Sequence, residues 1–246
     1  MDSHRLRRLA GAAALATVAC ASSAQAVTVF SSQFDTSVPR AIDAGTATLT
    51  GVQGYAGLGP AGDQFGGQFL RSETANRVTL TLSGLPTHDA LSVRFLFAAI
   101  DSLDGTGTFP AGDYFRIDID GVNAFRESFA NATDSQIQSY VPPAGVELAR
   151  KVDLGFSGPG SFYRDSAYNL GADPRFQHFA HAGSSLTIEF WMEGVGLQSL
   201  DDASWAMDNL SVEVFTASAV PEPSTDALML AGLGAVGAMM RRRRPR

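Results

Sequence analysis

The sequence DYFRIDIDG, residues 113–121, decides the fold prediction for this 246-residue chain. Apolar residues at 115, 117 and 119 alternate with charged residues at 116, 118 and 120, and this period of two indicates a β-strand with one buried face. Asp120-Gly121 then leads into a second β-prone run at residues 122–129. An Asp-Gly pair between two such runs predicts a tight β-hairpin.

Similar short runs lie on both sides of this hairpin. Strands are predicted at residues 27–34, 47–52, 78–83, 91–100, 151–157, 186–193 and 210–214. The segment 91–100 is apolar on both faces, which predicts a central strand, whereas the glycine-rich segment 51–67 and the proline-containing segment 131–145 are predicted loops. Residues 161–182 are aromatic but have no clean period. Without an amphipathic helix in the body, we expect one all-β domain, a jelly-roll-like β-sandwich at residues 27–219.

The amino terminus has the pattern of a secretory signal peptide. Three arginines precede an apolar segment and a site of small residues: Arg5, Arg7, Arg8, then 9–19, then Ala24-Gln25-Ala26. We predict a signal peptide at residues 1–26 that is cleaved after Ala26. The alternative is a lipoprotein anchored at Cys20, although Thr17 stands where an aliphatic residue is typical.

Cys20 is the only cysteine, so a chain cleaved after Ala26 has neither disulfides nor thiolate metal ligands. A packed core then has to supply the stability. A zinc site would need histidines, but His178 and His181 fall on opposite faces if their segment is a strand. We therefore predict no zinc centre.

The last 27 residues have three parts with different physical properties. The first part is Val220, Pro221, Glu222, Pro223, Ser224 and Thr225, and its two prolines predict an accessible, non-helical spacer. Residues 227–240 carry no charge and no proline, which predicts a transmembrane helix about 21 Å long, shorter than the roughly 30 Å hydrocarbon core. The chain ends in a basic tail, 241–246, that contains Arg241, Arg242, Arg243 and Arg244. These arginines are expected to stop transfer and to remain on the cytoplasmic side.

This order of Pro-Glu-Pro, short apolar helix and arginine cluster resembles the PEP-CTERM sorting signal of Gram-negative bacteria. The resemblance covers residues 220–246. It implies recognition by an exosortase, removal of the tail near Pro221-Glu222-Pro223, and export. The expected route is an inner-membrane intermediate held by the transient helix, followed by the cell surface or the extracellular matrix. The alternative is an ordinary C-terminal membrane anchor.

The net charge of the predicted mature body bears on its partners. Residues 27–219 contain 22 acidic and 10 basic side chains, which leaves the body about 12 units negative. Such a surface repels nucleic acid phosphates and anionic lipid head groups, so nucleic acid is excluded as a partner. The charge is compatible with cation binding and with neutral or calcium-bridged polysaccharides.

Three carboxylates lie in the loop between two predicted core strands: Asp101, Asp104 and Asp113. Hard oxygen ligands on a flexible, glycine-containing loop suit Ca²⁺, which takes about six to eight oxygens. We therefore predict that these three side chains share a structural Ca²⁺, with Asp201-Asp202 on a second loop able to close the site. The alternative is that the aspartates only cap turns.

Three short motifs resemble the jelly-roll domains of many exported bacterial proteins: DSLDG at 101–105, DYFRIDIDG at 113–121 and WAMDNLSV at 205–212. The resemblance implies an interaction module that is often directed at carbohydrate and often holds a structural calcium ion. Fold similarity alone does not carry function.

A glycosidase is the alternative from another class, and it needs two carboxyl groups about 5 to 5.5 Å or about 6.5 to 9.5 Å apart. Glu189 and Glu193 would lie about 13 Å apart along one strand. Asp118 and Asp120 would lie about 6.7 Å apart, but on a polar strand face beside a turn. No nucleophile elbow or phosphate-binding loop is present in its required context, so we predict that the protein is not an enzyme.

Trp191 shares the predicted outward face of its strand with Glu189 and Glu193. A tryptophan ring at such a position predicts an aromatic platform on which sugar rings can stack. Under this hypothesis Trp191→Ala weakens polysaccharide binding without lowering the melting temperature. The sequence as a whole predicts an exported binding module for extracellular polysaccharide. The alternatives are a glycan-modifying enzyme and a structural matrix component without a specific ligand.

Overall fold

The computed structural model describes residues 25–106, 112–156, 163–194, 198–216 and 232–233. The segment Ala24–Ala217 is one compact unit. The predicted signal peptide and sorting signal lie outside the described residues, except for residues 25 and 26, which are in a strand, and residues 232 and 233, which are helical. No helix within the described ranges is long and apolar enough to cross a membrane.

Strands dominate the described body. They are β1 (Gln25–Ser32), β2 (Ile42–Asp43), β3 (Thr48–Gly51), β4 (Gln68–Glu73), β5 (Arg77–Ser83), β6 (Ala90–Asp101), β7 (Tyr114–Ile119), β8 (Val122–Ser128), β9 (Glu147–Val152), β10 (Asp165–Asn169), β11 (Phe179–Ala180), β12 (Ser185–Glu193) and β13 (Ala203–Thr216). Short 3₁₀ helices occur at Gln53–Tyr55, Leu170–Ala172 and Pro174–Phe176. The all-β prediction is confirmed.

These strands form two sheets in which every described pairing is antiparallel. The larger sheet has the order β3-β4-β13-β6-β10-β9, and in addition β1 pairs with β13 and β11 with β6. The smaller sheet has the order β2-β5-β12-β7-β8. One hydrophobic cluster contains buried residues of both sheets, so the sheets pack face to face as a sandwich.

The hairpin predicted from residues 113–129 is confirmed. β7 and β8 pair with each other, and the two residues between them, Asp120 and Gly121, have φ angles of 50° and 76°. Positive φ at both central positions is the geometry that a two-residue type I′ turn requires, and Asp-Gly adopts it readily. The turn places the Asp120 carboxylate at the end of the smaller sheet.

The long strands β6 and β13 form the centre of the larger sheet and pair along almost their whole length. The register between them shifts after Asp208, where Asn209 has a φ of 52°. On its other side, the first half of β13 pairs with β4 and the second half pairs with β1. The shift therefore marks the point where β13 changes its outer neighbour.

The core between the sheets is rich in aromatic rings. Phe97 of β6 contacts Phe115 of β7, with ring centroids 4.3 Å apart, and Trp205 of β13 lies 5.1 Å from Phe115. These contacts join the two sheets directly. Aromatic pairs of this kind bury a large area and add a geometric preference to it.

A second hydrophobic cluster covers the outer face of the larger sheet, where Leu96, Ala98 and Ile100 of β6 lie under the segment 51–67. This confirms that β6 is apolar on both faces because both faces are buried. The covering segment approaches closely at Gly54, where a Cβ atom would lie 2.7 Å from the carbonyl oxygen of Leu154. Gly54 is therefore required by packing.

Several strands were not predicted, and each lacks the alternation that marks a half-buried strand. In β10 the first four residues, 165–168, are all buried, so inward and outward positions do not differ in polarity. The strand predicted at 151–157 is wrong in its position, since β9 ends at Val152, next to Lys151 with a φ of 50°. The two-residue strands β2 and β11 are too short to show a period.

Candidate functional site

An open cleft of about 430 Å³ lies between the β7–β8 hairpin of the smaller sheet and β11 of the larger sheet. Eight residues line it: Ile119, Asp120, Val122, Ala124, Arg175, Phe179, Ala180 and His181. Five of these are apolar and three are charged or titratable. The cleft therefore combines an apolar floor with a small number of polar groups, the usual composition of a small-ligand site.

The Asp120 carboxylate is held in place at the cleft by two groups from other elements. Its Oδ1 accepts the backbone N–H of Thr187 at 2.8 Å, and its Oδ2 lies 3.0 Å from Nε2 of His181. The carboxylate is still 43% exposed. It can therefore accept further hydrogen bonds from a ligand without having to reorient.

His181 belongs to a chain of hydrogen bonds that runs away from the cleft. Its Nδ1 lies 2.7 Å from Nε2 of His88, whose Nδ1 lies 2.6 Å from the carbonyl oxygen of Pro86. The carbonyl only accepts, so Nδ1 of His88 donates to it, and neutral His88 then accepts from His181 at Nε2. His181 consequently donates to Asp120 only when its ring carries a second proton.

Arg175 supplies the cationic side of the cleft and is equally fixed. Its guanidinium bonds to Asp173, with Nη2 at 2.8 Å from Oδ2, and to Glu127, with Nη1 at 3.0 Å from Oε1. It also lies over the rings of Phe125 and Tyr140, at 4.4 and 5.4 Å from the centroids. A guanidinium held by both charge and stacking keeps one orientation, as ligand recognition requires.

The three carboxylates predicted to share Ca²⁺ are separated in the structure. Asp104 and Asp113 meet, because the backbone N–H of Asp104 donates to Oδ2 of Asp113 at 3.3 Å. Asp101 instead contacts Asp165, whose Oδ1 accepts the Asp101 backbone N–H at 3.1 Å. Within the described ranges, no three His, Cys, Asp or Glu side chains are grouped to hold a metal ion. Asp101 thus lies apart from the contact between Asp104 and Asp113, and a Ca²⁺ ion shared by the three side chains stays a prediction.

Asp113 and Asp104 nevertheless occupy an unusual environment for carboxylates. Burial, with the nearby charges of Asp104 and Asp202, raises the pKa of Asp113 to about 6, although the hydrogen bond from the Asp104 backbone opposes the shift. Burial also raises the pKa of Asp104, whose Oδ1 accepts from Nε2 of Gln136 at 2.7 Å. The predicted second loop is close by, since Asp202 contacts the side chain of Ser102.

Asp208 is a buried carboxylate that is not among the predicted site residues. It accepts the backbone N–H groups of Gly66 and Asn209 at 3.2 and 2.7 Å. Burial raises its pKa to about 7, and the charges of Asp35 and Asp63 add to the effect although the two backbone bonds oppose it. The available signal was the polar pair Asp208-Asn209, which interrupts an otherwise apolar run at residues 205–210.

Trp191 lies on the outer face of the smaller sheet, but its ring is not an open platform. The side chain is 9% exposed, because the guanidinium groups of Arg77 and Arg116 lie 3.9 and 5.0 Å from its ring centroid. Both arginines belong to neighbouring strands, opposite Trp191 in register. Ligand binding by Trp191 stays a prediction, and it would require Arg77 to move off the ring.

We expect Trp191→Ala to lower the free energy of unfolding by about 1 to 3 kcal/mol, because it removes the surface on which two cations stack. Thermal unfolding of the purified protein measures this loss. Arg77→Met is the matched control, since it keeps an apolar cover and removes only one cation, and it should lose less. An unchanged melting temperature for Trp191→Ala would instead support the open-platform hypothesis.

Three of the four carboxylates considered for a glycosidase are paired with arginines; the fourth, Asp120, lies at the cleft. Hydrogen bonding to Arg116 is the main cause that lowers the pKa of Asp118, with Nε to Oδ1 and Nη2 to Oδ2 distances of 2.9 Å each. Glu189 pairs with Arg77, and Glu193 pairs with Arg126. A carboxyl group whose pKa is lowered by an arginine is a poor general acid, which argues against that role for Asp118.

The fold and these sites define a β-sandwich with a largely apolar cleft, and comparisons with known proteins add a sorting signal. Residues 219–244 match the PEP-CTERM protein-sorting motif, which confirms the resemblance. The motif marks an exported protein with a membrane-passing C-terminal sorting signal and implies processing by an exosortase. Residues 220–225 and 241–244 fall inside the match but outside the residues that the structure describes.

Solved structures with a similar arrangement include carbohydrate-active proteins. A family 35 carbohydrate binding module from Clostridium thermocellum has a TM-score of 0.29 and 13% identity, covering 77% of this chain and 100% of that chain. A cycloisomaltooligosaccharide glucanotransferase from Paenibacillus sp. has a TM-score of 0.33 and 9% identity, covering 74% of this chain and 18% of that chain. Latent PorU from Porphyromonas gingivalis has a TM-score of 0.36 and 11% identity, covering 75% of this chain and 14% of that chain. A comparison with curated proteins finds no match to this chain.

Proposed function

We propose that this exported protein is a non-catalytic module that binds extracellular polysaccharide in the cleft between the β7–β8 hairpin and β11. The observation that carries the proposal is the composition of the cleft, an apolar floor beside the fixed polar groups of Asp120, His181 and Arg175. A sugar ring has an apolar face and a rim of hydroxyl groups. The apolar floor of the cleft can pack against the apolar face of the sugar ring, and the polar side chains can form hydrogen bonds with its hydroxyl groups.

Two further observations support binding rather than catalysis. The carboxylates on the outer face of the smaller sheet, Asp118, Glu189 and Glu193, are neutralised by arginines. The excess of acidic over basic side chains in the body favours a neutral polysaccharide, or an anionic one bridged by calcium, over an anionic ligand bound directly. On this proposal the sorting signal delivers the module to the cell surface or the extracellular matrix, where the polysaccharide is.

Substitutions of two exposed valines test the proposal. Val122 lines the cleft and is 70% exposed, whereas Val141 is 82% exposed and does not line it. Val122→Asp places a new charge on the apolar floor beside Asp120 and is expected to weaken binding at least about tenfold, a change of about 1.4 kcal/mol. Val141→Asp adds the same charge elsewhere and should bind as the wild type does.

Co-sedimentation with the host's own extracellular polysaccharide measures both variants, with calcium and with EDTA. Equal binding by the two variants would place the ligand outside the cleft. Release of soluble sugar during the incubation would favour the glycan-modifying enzyme. No pelleting of the wild type under either condition would leave the structural matrix component as the better account.

A further inference from the structure

The carboxylate of Asp101 is buried without a hydrogen-bond partner. The residue is 1% exposed, and neither Oδ1 nor Oδ2 has a partner in the described part of the chain. Buried polar groups are normally paired, and a buried ionised carboxylate without a partner costs several kcal/mol. The buried carboxylate of Asp101, at the end of the central strand β6, therefore requires a counterion.

A second buried carboxylate lies beside it. Asp165, at the start of β10, is 0% exposed and uses its two oxygens to accept the backbone N–H groups of Asp101 and Leu154, at 3.1 and 2.8 Å. These bonds fix Asp165 against the end of β6, where the positive φ of Asp101 turns the chain. Each oxygen of the Asp165 carboxylate accepts one hydrogen bond here and keeps a lone pair that is free for another ligand.

A nearby cation, Arg71, does not neutralise the pair. Arg71 is attracted to both carboxylates, yet its guanidinium is engaged elsewhere, with Nε donating to Oγ of Ser204 at 3.0 Å and Nη2 to the carbonyl of Leu200 at 2.7 Å. No ion pair joins Arg71 to Asp101 or Asp165 among the described residues. Asp153 and Asp202 add further negative potential at Asp101.

We propose that Asp101 and Asp165 bind one divalent cation of the calcium class at the junction of β6 and β10. The cation would take oxygens from both carboxylates and neutralise both charges at once. Ca²⁺ binds through about six to eight oxygens, so backbone carbonyls and water would complete the shell. The oxygen-only character of the two side chains disfavours zinc and the softer transition metals. This site is independent of the polysaccharide cleft.

The electrostatics of the pair agree with this assignment. Burial, followed by the charge of Asp165, raises the pKa of Asp101 to about 7, and burial raises the pKa of Asp165 to about 6. A single proton shared between the two groups is the alternative counterion. It would neutralise one charge only, whereas a divalent cation removes the repulsion altogether.

Metal titrations of the EDTA-treated full-length protein test the proposal at pH 8. Tb³⁺ replaces Ca²⁺ at oxygen sites and luminesces when a nearby aromatic ring absorbs light, and Tyr55 is close enough to interact electrostatically with both carboxylates. We expect saturable Tb³⁺ luminescence that Ca²⁺ competes away, and a rise in melting temperature with millimolar Ca²⁺. Asp101→Asn and Asp165→Asn, which keep side-chain shape, should each weaken binding at least about tenfold.

Asp104→Asn and Asp113→Asn are the matched controls, because they remove the same charge from the neighbouring carboxylate pair. Both should bind as the wild type does. Loss of binding in these two variants with retention in Asp101→Asn would overturn the assignment and place the cation at the neighbouring pair. A wild type whose melting temperature and luminescence do not respond to either metal would also overturn the proposal.

Discussion

Replacing Trp205 with alanine is expected to destabilise the folded protein by about 3 to 5 kcal/mol. Trp205 is fully buried in β13 and packs on Phe115 of the opposite sheet. Alanine would leave a cavity at the interface of the sheets, where neighbours on two separate sheets cannot both relax into it. For a domain of this size the melting temperature should fall by about 2 to 4 °C for each kcal/mol.

Trp205→Phe is the informative control. The indole Nε1 of Trp205 is buried and has no hydrogen-bond partner among the described residues. Phenylalanine removes this unpaired donor and keeps most of the ring, so the lost contacts are partly offset by the lost desolvation penalty. We expect a loss well below half of that for alanine, measured by urea unfolding. Similar losses for the two variants would mean that the indole N–H is satisfied in solution.

The sequence was sufficient to predict the strands whose two faces differ. β5, β7, β8 and β12 each have one buried and one polar face, and their alternation is visible without a structure. The first six residues of β13 are all buried, as are four of the five residues of β10, so these residues carry no period. What distinguishes these strands is their neighbours in the sheet, which depend on contacts far apart in sequence.

Contacts between residues far apart in sequence also explain which parts of the candidate sites could not be predicted. Asp101, Asp104 and Asp113 were grouped because they are close in sequence, but the turn at Asp101 directs it to Asp165, 64 residues away. The cleft was not predicted, because its residues come from the β7–β8 hairpin, a 3₁₀ helix and β11, and these meet only when the two sheets pack. The sorting signal was recognised because it is one continuous stretch of sequence and does not depend on contacts between distant residues.

Asp208 allows a prediction about pH that does not involve the cleft or the proposed cation site. Burial raises its pKa to about 7 in the folded protein, compared with 3.8 in an unfolded chain. The folded state therefore binds the Asp208 proton across this range while the unfolded state releases it near pH 4. Because the folded state holds more protons, the free energy of unfolding falls as pH rises from about 4 to about 7.

Comparison with Asp208→Asn isolates this contribution, because asparagine keeps the side-chain shape and does not titrate. The free energy of unfolding of the wild type, relative to the variant, should fall by an amount on the order of 2 kcal/mol between pH 4 and pH 8. Urea unfolding in EDTA measures it, since other buried carboxylates change both proteins equally. A difference that is constant with pH, or that rises, would show that the backbone bonds from Gly66 and Asn209 outweigh burial. The carboxylate would then be ionised throughout, and the register shift that follows it in β13 would be stabilised by a buried charge that accepts two backbone donors.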